Sequence, residues 1–463
     1  MRGWCERRWR ACRAPPRPEM PDTPRVIVVG GGISGLCTAY LLARRGLRVS
    51  VLEQGAPGGK IVTERQSGFL LEHGPQGFLD NTPESLALAS ELGLAPLRAH
   101  ARAKKRFLYF RGRLERIPEG PGALLRTRIL SPRGKARLLW EPWAKGPPAS
   151  EDETVLAFAE RRLGREPARR LVAAMVAGVY AGDAARLSVA SAFPRLRKLE
   201  VEHGSLLRGM RRSGAAGPGP AGTLTSFADG MGSIITALAR ALGPAVMRAH
   251  ARSIERTGAQ LRTHTDDSGP VAADAVVLAT PAYASAALLG GLAAPLAEIP
   301  YVAVDVAYLG YARADVEHDL EGFGFLVAPG EDVRALGVLW ESSIFPERAP
   351  DGQVLLRVVL GGARDPEAAR LEPAAVIALA RETLARALGV RAEPRFARLI
   401  RHPRGIPQYT VGHAARVQAA AAAEAAWPGL FLTGNALRGV GYNDCVREAH
   451  QVAARVAAHL GKT

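Results

Sequence analysis

"RVIVVGGGISGLCTAYLLARRGLRVSVLEQ", Arg25 to Gln54, decides the fold. Val26 to Val29 are a run of β-branched residues that gives way to glycine, and the apolar positions from Ile33 to Leu42 then recur at helical spacing. The reading is strand, tight turn, helix. Gly30, Gly32 and Gly35 occupy the turn in a GxGxxG pattern, where missing side chains let backbone approach a pyrophosphate and the helix N-terminus supplies donors and positive dipole. A second strand, Arg48 to Leu52, ends on Glu53, eighteen residues past Gly35, where a carboxylate accepts hydrogen bonds from ribose hydroxyls. A dinucleotide with an unphosphorylated ribose is expected, and at this point both NAD and FAD remain open.

The chain has 463 residues, enough for two or three domains, with ordinary globular composition of 47% hydrophobic and 23% charged residues. A formal net charge of +17 invites a nucleic-acid reading. The arginines are dispersed, and neither an RNP-like motif nor a zinc finger accompanies them, so a general basic surface suited to acidic ligands or anionic lipid is expected instead. The four cysteines, Cys5, Cys12, Cys37 and Cys445, form no CxxC pair, and no HExxH is present, which argues against a zinc site or disulfide framework and for a reducing, cytoplasmic setting. The longest near-apolar run, Leu171 to Gly182, is too short to span a bilayer, so any membrane contact is expected to be peripheral. Residues 1–24 carry six arginines against two glutamates and no secretory apolar core before Met20; they read as a leader outside the fold, disordered or upstream of the true start.

Beyond Glu53 the text is dense in glycine, with Gly58-Gly59 and then Gly74-Pro75-Gln76-Gly77, as expected where backbone passes close to an extended ligand. Helical periodicity covers Thr82 to Gly93 and Thr154 to Gly182, in a region crowded with Arg126, Arg128, Arg133, Arg161 and Arg162. "SGAAGPGPAG" (213–222) reads as a linker. A helix is expected at Met231 to Leu242 and a buried strand within Ala273 to Ser285. Strands are expected again at Val302 to Gly310, Phe323 to Val327, Arg334 to Trp340 and Val354 to Leu360, and a helix at Pro373 to Leu388. The last strand runs into glycines and a helix capped by Asn443 or Asp444. This second glycine-preceded helix N-terminus suits a ligand with two polar ends, such as FAD, whose flavin carbonyl edge becomes anionic on reduction.

The GxGxxG turn with Glu53, the glycine pair, "ADAVVLATP" and "GVGYNDC" together resemble the flavin-dependent amine-oxidase and phytoene-desaturase superfamily. Within it, "KKRFLYFRGRLERIP", "VYAGDAARLSVASAFPRLRKLEVEHGSL", "GFGFLV", "LGGAR" and "IPQYTVGH" are similar to the protoporphyrinogen oxidase family. The resemblance runs from Arg25 almost to the end. It implies an α/β fold: an FAD-binding Rossmann-like domain (25–88, 223–290 and 412–463), a mixed-sheet substrate domain (291–411) and an inserted, basic, helical, membrane-associated domain (89–212). It implies FAD contacts at Gly30, Gly31, Gly32, Ile33, Ser34, Gly35 and Glu53, then at Gly59, Lys60 and Gly74, Pro75, Gln76 and Gly77. Ala251 would lie at the adenine side, and Asn435, Val440, Gly441 and Tyr442 at the flavin side. Arg106 falls where the family meets a substrate propionate, and Phe323, Gly324, Leu326, Leu339 and Val359 fall on positions lining a flat tetrapyrrole site. Where the family usually has an arginine two residues before the glycine pair, this chain has Ala56.

Read without the family, Lys104-Lys105-Arg106 is a solvated basic run, and Phe323 and Leu326 are strand core. The implied chemistry is porphyrinogen oxidation by repeated hydride transfer to FAD, with molecular oxygen as final acceptor. Hydride loss from a methylene between two pyrroles leaves a cation delocalised over both rings. No strong base is required, in keeping with the absence of a catalytic Cys/His, Ser/His or paired-carboxylate pattern. The leading substrate is protoporphyrinogen IX; coproporphyrinogen III, with four carboxylates, is the alternative. From another class comes a flavin-binding membrane adaptor without turnover. An anionic membrane surface is the expected partner, nucleic acid is not, and a homodimer stays open.

Overall fold

The computed structural model describes residues 23–146, 152–212, 222–258, 260–266 and 269–462, so most of the expected leader and linker lie outside the described residues. Strands β1 (Arg25–Val29) and β2 (Arg48–Glu53) flank the glycine turn and its helix, Ile33–Arg44. A hairpin, β3 (Arg106–Phe110) and β4 (Arg113–Arg116), precedes a helical stretch. Then come β5 (Val246–Arg248), β6 (Ala275–Leu278), β7 (Tyr301–Ala312), β8 (Gly324–Val327), β9 (Gly337–Leu339) and β10 (Gln353–Gly361). The helix Pro373–Leu388, β11 (Phe396–Pro407), β12 (Leu430–Leu432) and the last helix, Tyr442–His459, complete the order.

Two large sheets collect these strands. The first is parallel, in the order β5-β2-β1-β6-β12, and its centre is apolar on both faces because helices and an antiparallel layer cover it. Val26 and Val28 face a core with Leu36 of the glycine-turn helix and Val446 of the last helix, whereas Ile27 and Val29 face Ile254 and Leu261. The second sheet is mixed, in the order β11-β7-β10-β9-β8-β3-β4. One of its faces packs Phe325, Val338, Val358 and Ala307 against Val376, Ala380 and Leu384 of the Pro373–Leu388 helix.

Several expectations change. Within the region 89–212, Arg106 to Arg116 belong to the mixed sheet, because β3 pairs with β8, and the run of α-helices begins at Pro121. The strand expected over Arg334 to Trp340 shrinks to Gly337–Leu339, and the one within Ala273 to Ser285 to Ala275–Leu278, with Pro281 opening a helix at Ala282. Gly441, not Asn443 or Asp444, caps the last helix; Asp444 accepts the Gly441 N–H from inside the first turn (3.2 Å), and Asn443 donates to the Leu79 carbonyl (2.8 Å). Arg162 is no surface cation: it is fully buried, paired with the equally buried Glu141, and beside it Arg161 binds Glu153 and Glu200.

Candidate active site

The three fingerprint glycines have three different surroundings. Gly30 has a φ of +106°, and a Cβ there would lie 2.9 Å from the Ala279 carbonyl. A Cβ on Gly35 would sit 1.9 Å from the Gly30 carbonyl, so this glycine lets the helix close on the turn. Around Gly32 nothing lies within 4 Å, and no side chain caps the helix it begins. Two glycines are thus used up in packing and the middle one faces open space, as a dinucleotide pyrophosphate requires. Glu53 accepts the Gly31 N–H (2.7 Å) and the Gly55 N–H (2.9 Å), which holds its carboxylate beside the turn. Gly58 donates to the Gly31 carbonyl (2.8 Å), laying the second glycine pair, with Gly59, along the first. The residues present fit a dinucleotide.

The last helix starts against the glycine-turn helix, where the Cys445 thiol meets the Ser34 hydroxyl, so the two N-termini lie side by side. Burial pushes the Cys445 thiol up to about 11 despite that bond, and Cys37 is raised further, so neither is a nucleophile near neutral pH. Not every expected contact turns its side chain to the cofactor. Ile33 is in the core, Tyr442 packs on Phe78 at 4.9 Å, and Lys60 donates to the Arg404 carbonyl (2.7 Å). At these positions the backbone is what a cofactor can meet. Ala251 begins a strand just past Ala249, whose N–H binds the Glu53 carbonyl (2.9 Å). Tyr409 accepts from the Gly439 N–H (2.8 Å) and donates to the Asn435 carbonyl (2.7 Å), shaping the loop that carries Asn435 and Val440.

The expected substrate residues come together on the second face of the mixed sheet. Register places Arg106, Gly324, Leu339, Arg357 and Tyr308 in one row across five strands, and Leu108, Leu326, Gly337, Val359 and Val306 in the next. Residues opposite one another in a ladder share a face. Leu326, Leu339, Val359 and Phe323 are half-buried while their neighbours on the other face are buried. A Cβ on Gly178 would lie 2.6 Å from Leu326, so the helix Ala173–Tyr180 packs against the second row. At the outer end Arg106 is exposed and pairs with no carboxylate of the described residues; its guanidinium lies 5.6 Å over the Phe323 ring. Its neighbour Lys105 is tied to Glu321 (2.7 Å). The site is a flat apolar floor with a cation at its rim.

Sequence reasoning missed the polar side chains behind this floor: Glu72, Glu341, Arg348 and Arg357 are all buried. A charged residue inside the apolar run "VLLRVVL" was the available signal. Gln76, one of the expected FAD contacts, turns its side-chain amide to Glu341, with Nε2 reaching both oxygens (2.8 and 3.2 Å).

A family model for flavin containing amine oxidoreductases matches residues 33–457. The chain belongs to that family. It is an FAD-dependent oxidase. Among family relatives, protoporphyrinogen oxidase of Bos taurus is 34% identical, covering 93% of this chain and 98% of the bovine one. Coproporphyrinogen III oxidase of Propionibacterium freudenreichii subsp. freudenreichii is 32% identical, over 93% and 90%. A solved structure from Exiguobacterium sp. 255-15, provisionally assigned as a protoporphyrinogen oxidase, superposes with a TM-score of 0.82 at 26% identity, covering 95% of this chain and all of that one. Nothing in these relatives points to an adaptor without turnover.

Proposed function

We propose that this oxidase removes hydride from a porphyrinogen, with protoporphyrinogen IX the leading substrate and protoporphyrin IX its product. The observation that carries the reading is the row from Arg106 through Gly324 to Leu339: flat, apolar and ending in a cation that pairs with no carboxylate among the described residues. A planar macrocycle with propionates on one edge matches it, and the fork of an arginine matches a carboxylate. FAD, when bound, supplies the hydride acceptor and is reoxidised by molecular oxygen. The protein's task is to hold the ring flat, exclude water from it and anchor its acidic edge. Coproporphyrinogen III is the second reading, favoured by relatives of that name at nearly the same identity. Anaerobic bleaching of the flavin by each porphyrinogen, compared at equal concentration, decides between them; no bleaching by either refutes the reading.

The flavin is expected to be noncovalent, because Cys445 and Cys37, the described cysteines, are buried and protonated. Acid precipitation should leave all yellow colour in the supernatant; colour in the pellet contradicts it.

Membrane contact is proposed on the helical stretch, at Trp140 and Trp143. Trp140 and Trp143 are 61% and 65% exposed, their rings 5.1 Å apart, beside exposed Leu125 and Leu139 and exposed Arg126, Arg128 and Arg133. Amphipathic aromatic rings with arginines suit an anionic interface. Among the described residues no helix is long and apolar enough to cross a membrane. Trp140→Ala with Trp143→Ala should abolish most binding to anionic vesicles, and high salt should weaken wild-type binding. Unchanged cosedimentation of the double variant refutes this patch.

A further inference from the structure

Four carbonyls in the stretch Glu72 to Gln76 accept hydrogen bonds from side chains of the substrate half. Tyr308 donates to the carbonyl of Glu72, Arg357 to that of Gly74 and Arg348 to that of Gln76, each at 2.8 Å. His402 holds the carbonyl of His73, also at 2.8 Å. These donors come from β7, β10, the turn Pro346–Arg348 and β11, while the stretch they hold leads into the glycine loop expected to contact FAD. Behind them Glu341 lies 3.4 Å from Arg348 and 3.6 Å from Arg357, and Glu72 lies 3.3 Å from Arg348. Two buried carboxylates thus face two buried guanidinium groups.

Tyr308 and Arg357 belong to both constructions, and of the two the charged one is Arg357. It is the fourth member of the row that begins at Arg106, directly opposite Leu339, and it is also the donor to Gly74. Through this side chain the floor of the slot is fixed to the glycine loop expected to contact FAD. Hydride transfer falls steeply with misplacement of the reacting atoms, and an error near 1 Å can cost about a hundredfold.

We propose that Arg357 is a positioning residue, setting the distance between flavin and substrate by clamping Gly74 to the slot floor. The proposal rests on the porphyrinogen reading for its kinetic consequence but not for its effect on the flavin itself. Lysine keeps the charge and loses the planar fork, so it cannot serve Gly74 and Glu341 together. Arg357→Lys holoenzyme should retain stoichiometric FAD and a half-saturating porphyrinogen concentration within about twofold of wild type. Its limiting rate of anaerobic flavin reduction should fall roughly ten- to hundredfold. Its visible flavin bands and midpoint potential, measured by photoreduction against a reference dye without porphyrinogen, should shift. Tyr308→Phe, which loses only the hydroxyl held by Glu72, should move the same quantities the same way by less, and it carries the test if Arg357→Lys does not fold. Wild-type rate, spectrum and potential in the folded variants overturn the proposal. So does a defect confined to half-saturation, or one that only tracks loss of folded protein. If wild type is bleached by neither porphyrinogen, the substrate reading fails, and the spectrum and potential still decide the role of Arg357.

Discussion

Arg106→Ala is expected to lower kcat/KM for the porphyrinogen about ten- to hundredfold, with FAD content unchanged. A charge-assisted hydrogen bond contributes roughly 1.5–3 kcal/mol, and its loss appears directly in the ratio of specificity constants. Because Arg106 is exposed at the rim, the effect should sit toward the lower end and weaken as salt rises. Flavin should stay because β3 belongs to the mixed sheet, across from the glycine turn in the parallel one. Arg106→Lys should recover only part of the loss, since an ammonium has no planar fork. Lys104→Ala is the control for a merely basic surface, being exposed one residue from the Glu321-bound Lys105. Equal losses in the two alanine variants, or release of flavin by Arg106→Ala, would show that no propionate is held there.

The glycine turn was legible because its constraints are local: a positive φ at Gly30, close packing at Gly35 and a carboxylate at the next strand's end all leave marks within one βαβ unit. The slot was legible only through resemblance. Arg106 and Gly324 are neighbours through a parallel pairing between distant segments, and nothing in "KKRFLYF" foretells it. Buried charge was the least legible feature. Arg161 and Arg162 count in the sequence only toward a basic region, because their neutralising partners, Glu141, Glu153 and Glu200, are brought to them by the fold. Arg348 and Arg357 were hidden in the same way, and the sign that distinguishes a buried arginine from an exposed one is a three-dimensional neighbour.

That hidden charge carries the largest expected effect on stability. Glu141 accepts from Arg162 Nε (2.9 Å), from the Ser205 hydroxyl and from the amides of Leu206 (2.9 Å) and Leu207 (3.2 Å), so it also caps the helix Leu206–Arg212. Glu141→Ala takes from the buried Arg162 its closest carboxylate, leaving Glu200 at 3.7 Å, and strands those two amides, and breaking one side of such a pair costs about 3–5 kcal/mol. Replacing both charges, Glu141→Met with Arg162→Met, should recover much of it, since an apolar pair leaves no buried ion without a partner. Urea unfolding followed by proteolysis should place the weakened region between Pro121 and Arg212, with FAD retained under native conditions; a loss under about 1 kcal/mol for Glu141→Ala would refute the arrangement. Acid should weaken the same region. Burial pushes the Glu141 carboxyl up, but the bonds from Ser205, Leu206 and Arg162 outweigh it and hold the group below its ordinary value of 4.5; Arg161 and Arg197 do the same for Glu200. Such depressed carboxyls stabilise the fold above the ordinary value, and the contribution is lost as pH falls from there through the folded-state value. Glu72 and Asp305, raised by burial, have the opposite sign and lie in strands outside the helical stretch. Helical signal and protection from protease should therefore weaken between Pro121 and Arg212 below about pH 4.5.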